Sequence, residues 1–292
     1  ADIIEEFKPE IIQANAADTL KYAVFSKLIY KWKAPIVYRN ASTTSYYIKN
    51  QFSKFINSFL LRNVDRIISV SHASKRDLNG VFPFTKDKTL VVPIGIDPVK
   101  TKETDIDFST KRVNIIHVGS FTREKNHKGL LSIFKKLNAL NQNYFLHLIG
   151  EGPLRNIMEE DIRQLDLLDS VKFYEGVRNP LPYISAADIL VLPSNIEGLP
   201  AVLLESMFCK TPVVAYNVGG ISEIVTKQTG SLIEKDDEAG FVKAVLETLK
   251  NPNMEQIEAA QQMVLKEYMN EEIALKFVEV YEAVAPQPPT GE

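Results

Sequence analysis

Residues Glu197 to Glu205 read E-G-L-P-A-V-L-L-E, two carboxylates eight positions apart with Gly198 and Pro200 just after the first. They stand between two apolar runs, 188–193 (D-I-L-V-L-P) and 212–216 (P-V-V-A-Y). Apolar runs of this length, bounded by turn signals and separated by a helical stretch, are the pattern of buried parallel strands joined by a helix. Glu197 is then expected in the loop at the carboxyl end of a strand. Leu199 and Pro200 fall in the first helical turn, and Glu205 inside the helix. Open α/β sheets take ligands at the carboxyl ends of strands, where helix N-termini offer free N–H groups to anions. Two carboxylates flanking such an N-terminus, at most about 12 Å apart at helical rise, suit hydroxyls at both ends of a ligand with a diphosphate in its middle. A nucleotide sugar is such a ligand.

The cations for a diphosphate lie upstream. Residues 119–128 read G-S-F-T-R-E-K-N-H-K and follow the apolar run 113–118. A diphosphate is bound by cationic side chains or backbone N–H groups, and Gly119 permits close backbone approach. Arg123 and Lys125 are the cations in reach; the alternative for each is a solvated surface position. Gly150-Glu151-Gly152-Pro153 forms another strand-to-helix turn, and Gly176, Val177 and Arg178 follow a further apolar run. The histidines His72, His117, His127 and His147 have no ligand spacing to one another, so no metal site is expected. No Ser–His–Asp or Cys–His order suggests covalent hydrolysis. The single cysteine, Cys209, excludes an internal disulfide and reads as a small core residue rather than a reactive thiol.

The elements that must position these residues alternate in type. In residues 1–108, helical patterns at 17–32, 46–61 and 74–81 separate short apolar runs at 10–13, 35–38, 66–71 and 89–94. Ser71 and Ser74 are placed to cap the third helix. The polar stretch 98–110 breaks the pattern as a linker. In residues 109–270, apolar runs at 113–118, 144–149, 171–174, 189–192, 213–216 and 230–233 are joined by helical segments at 129–140, 154–165, 181–186, 199–208 and 221–226. That is close to a complete Rossmann-like count. Helices at 240–250, 253–268 and 271–284 follow, and 286–292 (P-Q-P-P-T-G-E) reads as a disordered tail.

At 292 residues, 45% hydrophobic and 24% charged, the composition is that of an ordinary soluble protein of two domains. No apolar stretch approaches the roughly 20 residues that cross a bilayer, and no signal-peptide pattern opens the chain. A cytoplasmic protein is expected. The net charge of −3 hides a segregation: residues 11–64 hold eight bases (Lys21, Lys27, Lys31, Lys33, Arg39, Lys49, Lys54, Arg62) against Asp18 alone, leaving −10 for the rest. Aromatics interleave with these bases: Tyr22, Phe25, Tyr30, Trp32, Tyr46, Tyr47, Phe52, Phe55 and Phe59. Two readings stay open. Either the aromatics are core under a solvated lysine face, or this is a surface for anionic lipid headgroups or a lipid-diphosphate acceptor at the inner membrane. The acidic balance and the absence of a reading motif speak against nucleic acid.

Taken together, the motifs have a familiar order. E-G-L-P-x-x-x-x-E followed by P-V-V-A and Gly219-Gly220, H-V-G-S-F-T-R-E-K-N-H (117–127), L-I-G-E-G-P-L-R (148–155), V-K-F-Y-E-G-V (171–177), A-A-D-I-L-V-L-P-S (186–194) and V-P-I-G-I-D (92–97) resemble the family-4 retaining glycosyltransferases. The resemblance implies the α/β GT-B fold: two Rossmann-like domains with parallel sheets facing a cleft, 1–108 on the acceptor side and 109–270 on the donor side. Helix 271–285 is implied to cross back to the first domain. With four strand candidates against six, the first domain is expected to be incomplete and the natural protein longer.

The implied activity is transfer of a hexose-type unit from a nucleotide diphosphate sugar to an acceptor hydroxyl, with retention of configuration and no cofactor or metal. The implied setting is bacterial surface polysaccharide or lipid-linked glycan assembly. By the same resemblance Glu197 contacts sugar hydroxyls, and Glu205 holds the ribose. Lys125 and the helix start at Gly198, Leu199 and Pro200 grip the diphosphate, with Gly119 and Gly150 at the donor turns and Val177 and Arg178 by the nucleobase. Two positions depart from the pattern. Ser120 stands where an arginine is expected, with Arg123 as a possible replacement charge. Asn15 stands near the transferred sugar where a histidine is common; it can donate a hydrogen bond but cannot act as a base near neutral pH. A non-catalytic nucleotide-sugar-binding subunit, and an epimerase or phosphorylase on the same fold, stay open as alternatives. The D-x-D at Asp105-Ile106-Asp107, a metal motif of sugar transferases of another fold, falls in the linker and is expected to be incidental.

Overall fold

The computed structural model describes residues 2–97, 106, 108 and 111–285. Two compact units divide the chain: 1–95 with 270–292, and 96–269.

The first unit runs α1 (Asp2–Phe7), β1 (Ile12–Asn15), α2 (Ala16–Tyr30), β2 (Ile36–Asn40), α3 (Thr44–Tyr47), α4 (Gln51–Arg62), β3 (Arg66–Ser69), α5 (His72–Val81) and β4 (Thr89–Val91). The strands are parallel in the order β1-β2-β3-β4. Both faces of this sheet are covered, which is why its central strands are apolar without alternation. On one face Leu20, Val24, Leu60 and Leu78 of the crossover helices bury Ile36 and Ile67. On the other, Val37, Ile68 and Val92 meet Ile273 and Val280 of the chain's last helix, Asn270–Glu282. Ser71 caps α5 through its side chain, accepting from the Ser74 N–H.

One expected helix is two. The pattern over 46–61 breaks before Asn50, whose Oδ1 accepts from the Ser53 N–H at 2.8 Å while the Asn50 N–H donates to Ser53 Oγ at 3.2 Å. This reciprocal cap satisfies N–H groups that a continuous helix would have bonded, and so starts α4 afresh.

The second unit runs β5 (Val113–Val118), α6 (His127–Leu140), β6 (Tyr144–Ile149), α7 (Arg155–Gln164), β7 (Val171–Tyr174), α8 (Leu181–Ser185), β8 (Ile189–Leu192), α9 (Ala201–Phe208), β9 (Val213–Tyr216), β10 (Ser231–Ile233), α10 (Glu238–Lys250) and α11 (Met254–Glu267). Its six strands are parallel in the order β10-β9-β8-β5-β6-β7. The unit begins earlier than residue 109. The Ile96 N–H donates to Tyr268 O at 2.8 Å, and Phe108 stacks on His147 with centroids 3.8 Å apart. The helix expected over 221–226 is a 3-10 turn, Ile221–Glu223. It stops because Thr229 Oγ1 takes the Thr226 N–H at 2.9 Å and donates to Ile224 O at 2.6 Å, side-chain bonds that compete with the helical ladder. Asp105, Asp107, most of the linker and 286–292 lie outside the described residues.

Candidate active site

The strand order of the second unit reverses between β5 and β8. From β5 the chain winds outward through β6 and β7; from β8 it winds the other way through β9 and β10. The carboxyl ends of two such strands diverge and leave a crevice, the usual ligand position of an open α/β sheet. Lys125 arrives from the loop after β5 and Glu197 from the loop after β8. They meet across the crevice. Lys125 Nζ donates to Glu197 Oε1 at 2.6 Å, with side chains only 19% and 8% exposed. An ion pair this short and this buried is costly to break from one side, because the remaining charge stays out of water without its counter-ion.

The two loops are joined by backbone as well. The Asn195 and Ile196 N–H groups both point at Glu124 O, at 2.7 and 3.3 Å. Asn126 holds a left-handed conformation (φ 53°), caps α6 through Gly129, and donates from Nδ2 to Pro193 O at 3.0 Å. Glycines on the flanking strands complete the frame. Gly219, at φ +57°, lies against Glu197, where an added Cβ would stand 1.9 Å from the Glu197 carbonyl oxygen. The Gly220 N–H donates to Gly198 O at 2.8 Å. Gly150 (φ +147°) packs likewise on Gly119, its would-be Cβ 2.1 Å from Gly119 O. Gly150, expected among the donor contacts, is thus required first by the neighbouring loop. Gly119 itself has room: a Cβ there would meet only Lys125 and His117 side-chain atoms, at 3.4 and 3.5 Å.

Beneath this frame sit two histidines that sequence reasoning passed over. His117, on β5, is fully buried, with Nδ1 2.9 Å from Val191 O. Burial drives its pKa down to about 3, with His127 and the Lys125 ammonium adding repulsion. His127, at the start of α6, is lowered to about 4, chiefly by burial. Both rings are therefore neutral near pH 7 and leave Lys125 as the local cation. The available signal was their position: they bracket the motif that carries Lys125.

The other expected residues take varied positions. Helix α9 starts at Ala201 with Pro200 as its N-cap, so Leu199 and Pro200 precede the first turn rather than form it. Glu205, within α9, is half-buried, and burial raises its carboxyl pKa. It has no ion-pair partner among the described residues. Cys209, at the end of α9, has its thiol pushed up to about 11 by burial, with Glu205 adding to it, which suits a packing residue and not a nucleophile. Ser120 is exposed and brings no charge. Arg123 is also exposed, on the 3-10 turn Arg123–Lys125, and its guanidinium has no ion-pair partner among the described residues. Val177 and Arg178 follow β7, half-buried and exposed. Asn15 belongs to the first unit, at the end of β1, where its Oδ1 accepts from Gln13 Nε2 at 2.9 Å.

The family described as glycosyl transferases group 1 matches residues 99–264. The chain belongs to that family. Glycosyltransferase family 4 matches residues 1–100. N-acetyl-alpha-D-glucosaminyl L-malate synthase of Bacillus anthracis is 26% identical over 236 residues, covering 76% of this chain and 61% of the relative. Glycogen synthase of Mycobacterium tuberculosis is 26% identical over 231 residues, covering 77% of this chain and 56% of the relative. The chain thus spans little more than half the length of such relatives. Among solved structures, sucrose-phosphate synthase from Thermosynechococcus elongatus superposes with TM-score 0.82 at 20% identity, over 97% of this chain and 75% of that one. Anabaena HepE in complex with UDP-glucose gives TM-score 0.80 at 20% identity, over 94% and 79%. The fold is GT-B.

Proposed function

We propose that this chain carries the donor site of a glycosyltransferase that moves a sugar from a nucleotide diphosphate sugar to an acceptor hydroxyl, with retention of anomeric configuration. The Lys125–Glu197 pair at the strand-order reversal carries the reading. Its cation is matched to a phosphate, and its carboxylate to sugar hydroxyls. In the pair each holds the other in place. A diphosphate arriving at the crevice takes over Lys125, and Glu197 Oε1, released by the lysine, accepts from the donor sugar. Lys125 and the N–H groups at the start of α9 then oppose the charge that builds on the departing diphosphate, which is where binding lowers a barrier. Glu205 is the proposed acceptor for the ribose hydroxyls. No residue of this frame calls for a metal.

HepE, solved with UDP-glucose, supports the donor class, and a Campylobacter jejuni relative named for a diphospho-undecaprenol acceptor supports a lipid-linked or surface-glycan setting. A second reading, a nucleotide-sugar-binding subunit without turnover, rests on the uncharged, exposed Ser120. One assay separates them: the purified chain is given uridine, guanosine and adenosine diphosphate sugars that bind it, and hydrolysis or transfer is followed by proton NMR. Release of sugar with retained configuration supports the enzyme, and inverted product removes the retaining mechanism. A donor that binds and is never turned over favours the subunit.

A further inference from the structure

Helix α4 is apolar on two sides. Its inner side, with Leu60 and Leu61 buried and Ile56 packed against them, belongs to the core of the first unit. A surface helix normally turns polar residues outward. Here the outer side carries Phe52, Phe55 and Phe59, exposed by 72%, 71% and 39%. Phe59 stacks on Phe25 of α2 at 6.2 Å, so the apolar surface continues onto the neighbouring helix. Of the nine aromatics interleaved with bases in the sequence, Trp32 is partly buried against the core and the other eight are exposed. The reading in which they form the core does not hold.

No Asp or Glu occurs between positions 19 and 64. Lys49 and Lys54 are exposed and have no acidic partner among the described residues. Asp77, across on α5, spends its carboxylate on the Ser45 N–H at 2.9 Å. Lys54 and Phe55 line a groove of about 380 Å³ with Pro83 and Phe84. A neighbouring hollow of about 680 Å³ shares Lys54 and adds Lys49. Unpaired ammonium groups at the rim match lipid phosphates, and the exposed phenylalanines match the headgroup–acyl boundary.

We propose that the outer face of α4, with Lys49 and Lys54 at its rim, docks on an anionic phospholipid bilayer. The first unit would lie on the membrane with Phe52, Phe55 and Phe59 inserted and the lysines against lipid phosphates. The proposal is independent of the donor reading and is tested without a sugar nucleotide. The 292-residue chain is sedimented with vesicles of phosphatidylcholine alone and of phosphatidylcholine mixed with phosphatidylglycerol. Expected is preferential binding to the mixed vesicles that weakens as salt rises. Phe52→Ser with Phe55→Ser should reduce it on the order of ten-fold, and Lys49→Gln or Lys54→Gln about five-fold each. Thermal melts should stay unchanged, because all four side chains are exposed. Ile157→Ser, an exposed apolar position on α7 of the other unit, should bind as wild type. The proposal is overturned if wild type ignores the anionic vesicles, if the phenylalanine and lysine variants bind like wild type, or if Ile157→Ser loses as much as they do.

Discussion

In the 96–269 unit the loops after β5, β6, β8 and β9 touch backbone to backbone, with Gly150 seated on Gly119 and Gly219 on Glu197. In the 1–95 unit the end of β1 carries an exposed Asn15, and Gly80 has no heavy atom within 4 Å of an added Cβ. Both units wind parallel strands and crossover helices; only the second seats its strand-end loops on one another, whereas Gly95, after β4 of the first, is crowded by Asn270 of the last helix, 2.4 Å from an added Cβ. A carboxylate held through its own backbone by a glycine, and through its side chain by a buried lysine, cannot wander. Such preorganisation serves an electrostatic site. The first unit instead turns its chemistry outward, as aromatic and basic side chains on helices.

Exchanging one glycine in each unit breaks this comparison most sharply. Gly219→Ala puts a methyl group on the Glu197 carbonyl at a left-handed φ. It should cost on the order of 3 kcal/mol or more in chemical denaturation and displace Glu197. Gly80→Ala, inside α5 with open space around it, should be neutral or stabilise by up to about 1 kcal/mol. Equal effects would remove the distinction.

Next in size is the ion pair. Lys125→Met takes the counter-ion from the buried Glu197 carboxylate, and Glu197→Gln takes it from Lys125. Each should cost about 3 kcal/mol. The double variant should cost much less than the sum, since no lone charge remains buried. Additive losses in a denaturation cycle would place the two side chains apart.

Acid should act on the second unit first. His117, His127 and His147 are held below the ordinary value of 6.5, at about 3, 4 and 4. The unfolded chain therefore binds protons before the folded one, so stability is full above pH 6.5 and falls as pH drops towards 4. The loss at pH 5 should be on the order of a few kcal/mol. Amide exchange read unit by unit should show it in 96–269, where all three histidines lie. The smallest effect is Asn50→Ala, which removes the cap of α4 and should cost about 1 kcal/mol of first-unit stability in the same exchange experiment.

Much of this was legible in the sequence because buried parallel strands announce themselves as apolar runs. Five strands of the second unit occupy the expected residues, and β10 starts one residue later than expected. The carboxylates and cation of the site were legible through spacing and resemblance. Their pairing was not, because Lys125 and Glu197 are 72 positions apart and only the strand order joins them. Nor was the need for Gly150 and Gly219, which comes from another segment's carbonyl as well as from their own positive φ. The break before Asn50 depends on one reciprocal cap inside a run with good helical periodicity. The unit boundary near 95 depends on Phe108, a lone aromatic in a polar stretch, finding His147.

The central claim is that the crevice between β5 and β8 binds a donor diphosphate through Lys125 and its sugar through Glu197. Calorimetric titration of wild type, Lys125→Met and Glu197→Gln tests it directly, with one nucleoside diphosphate that binds wild type and with its sugar conjugate. Lys125→Met should weaken the diphosphate by about 10- to 100-fold, whereas Glu197→Gln should spare the diphosphate and lose only the affinity added by the sugar. Undiminished binding of both ligands to a folded Lys125→Met chain would contradict the account.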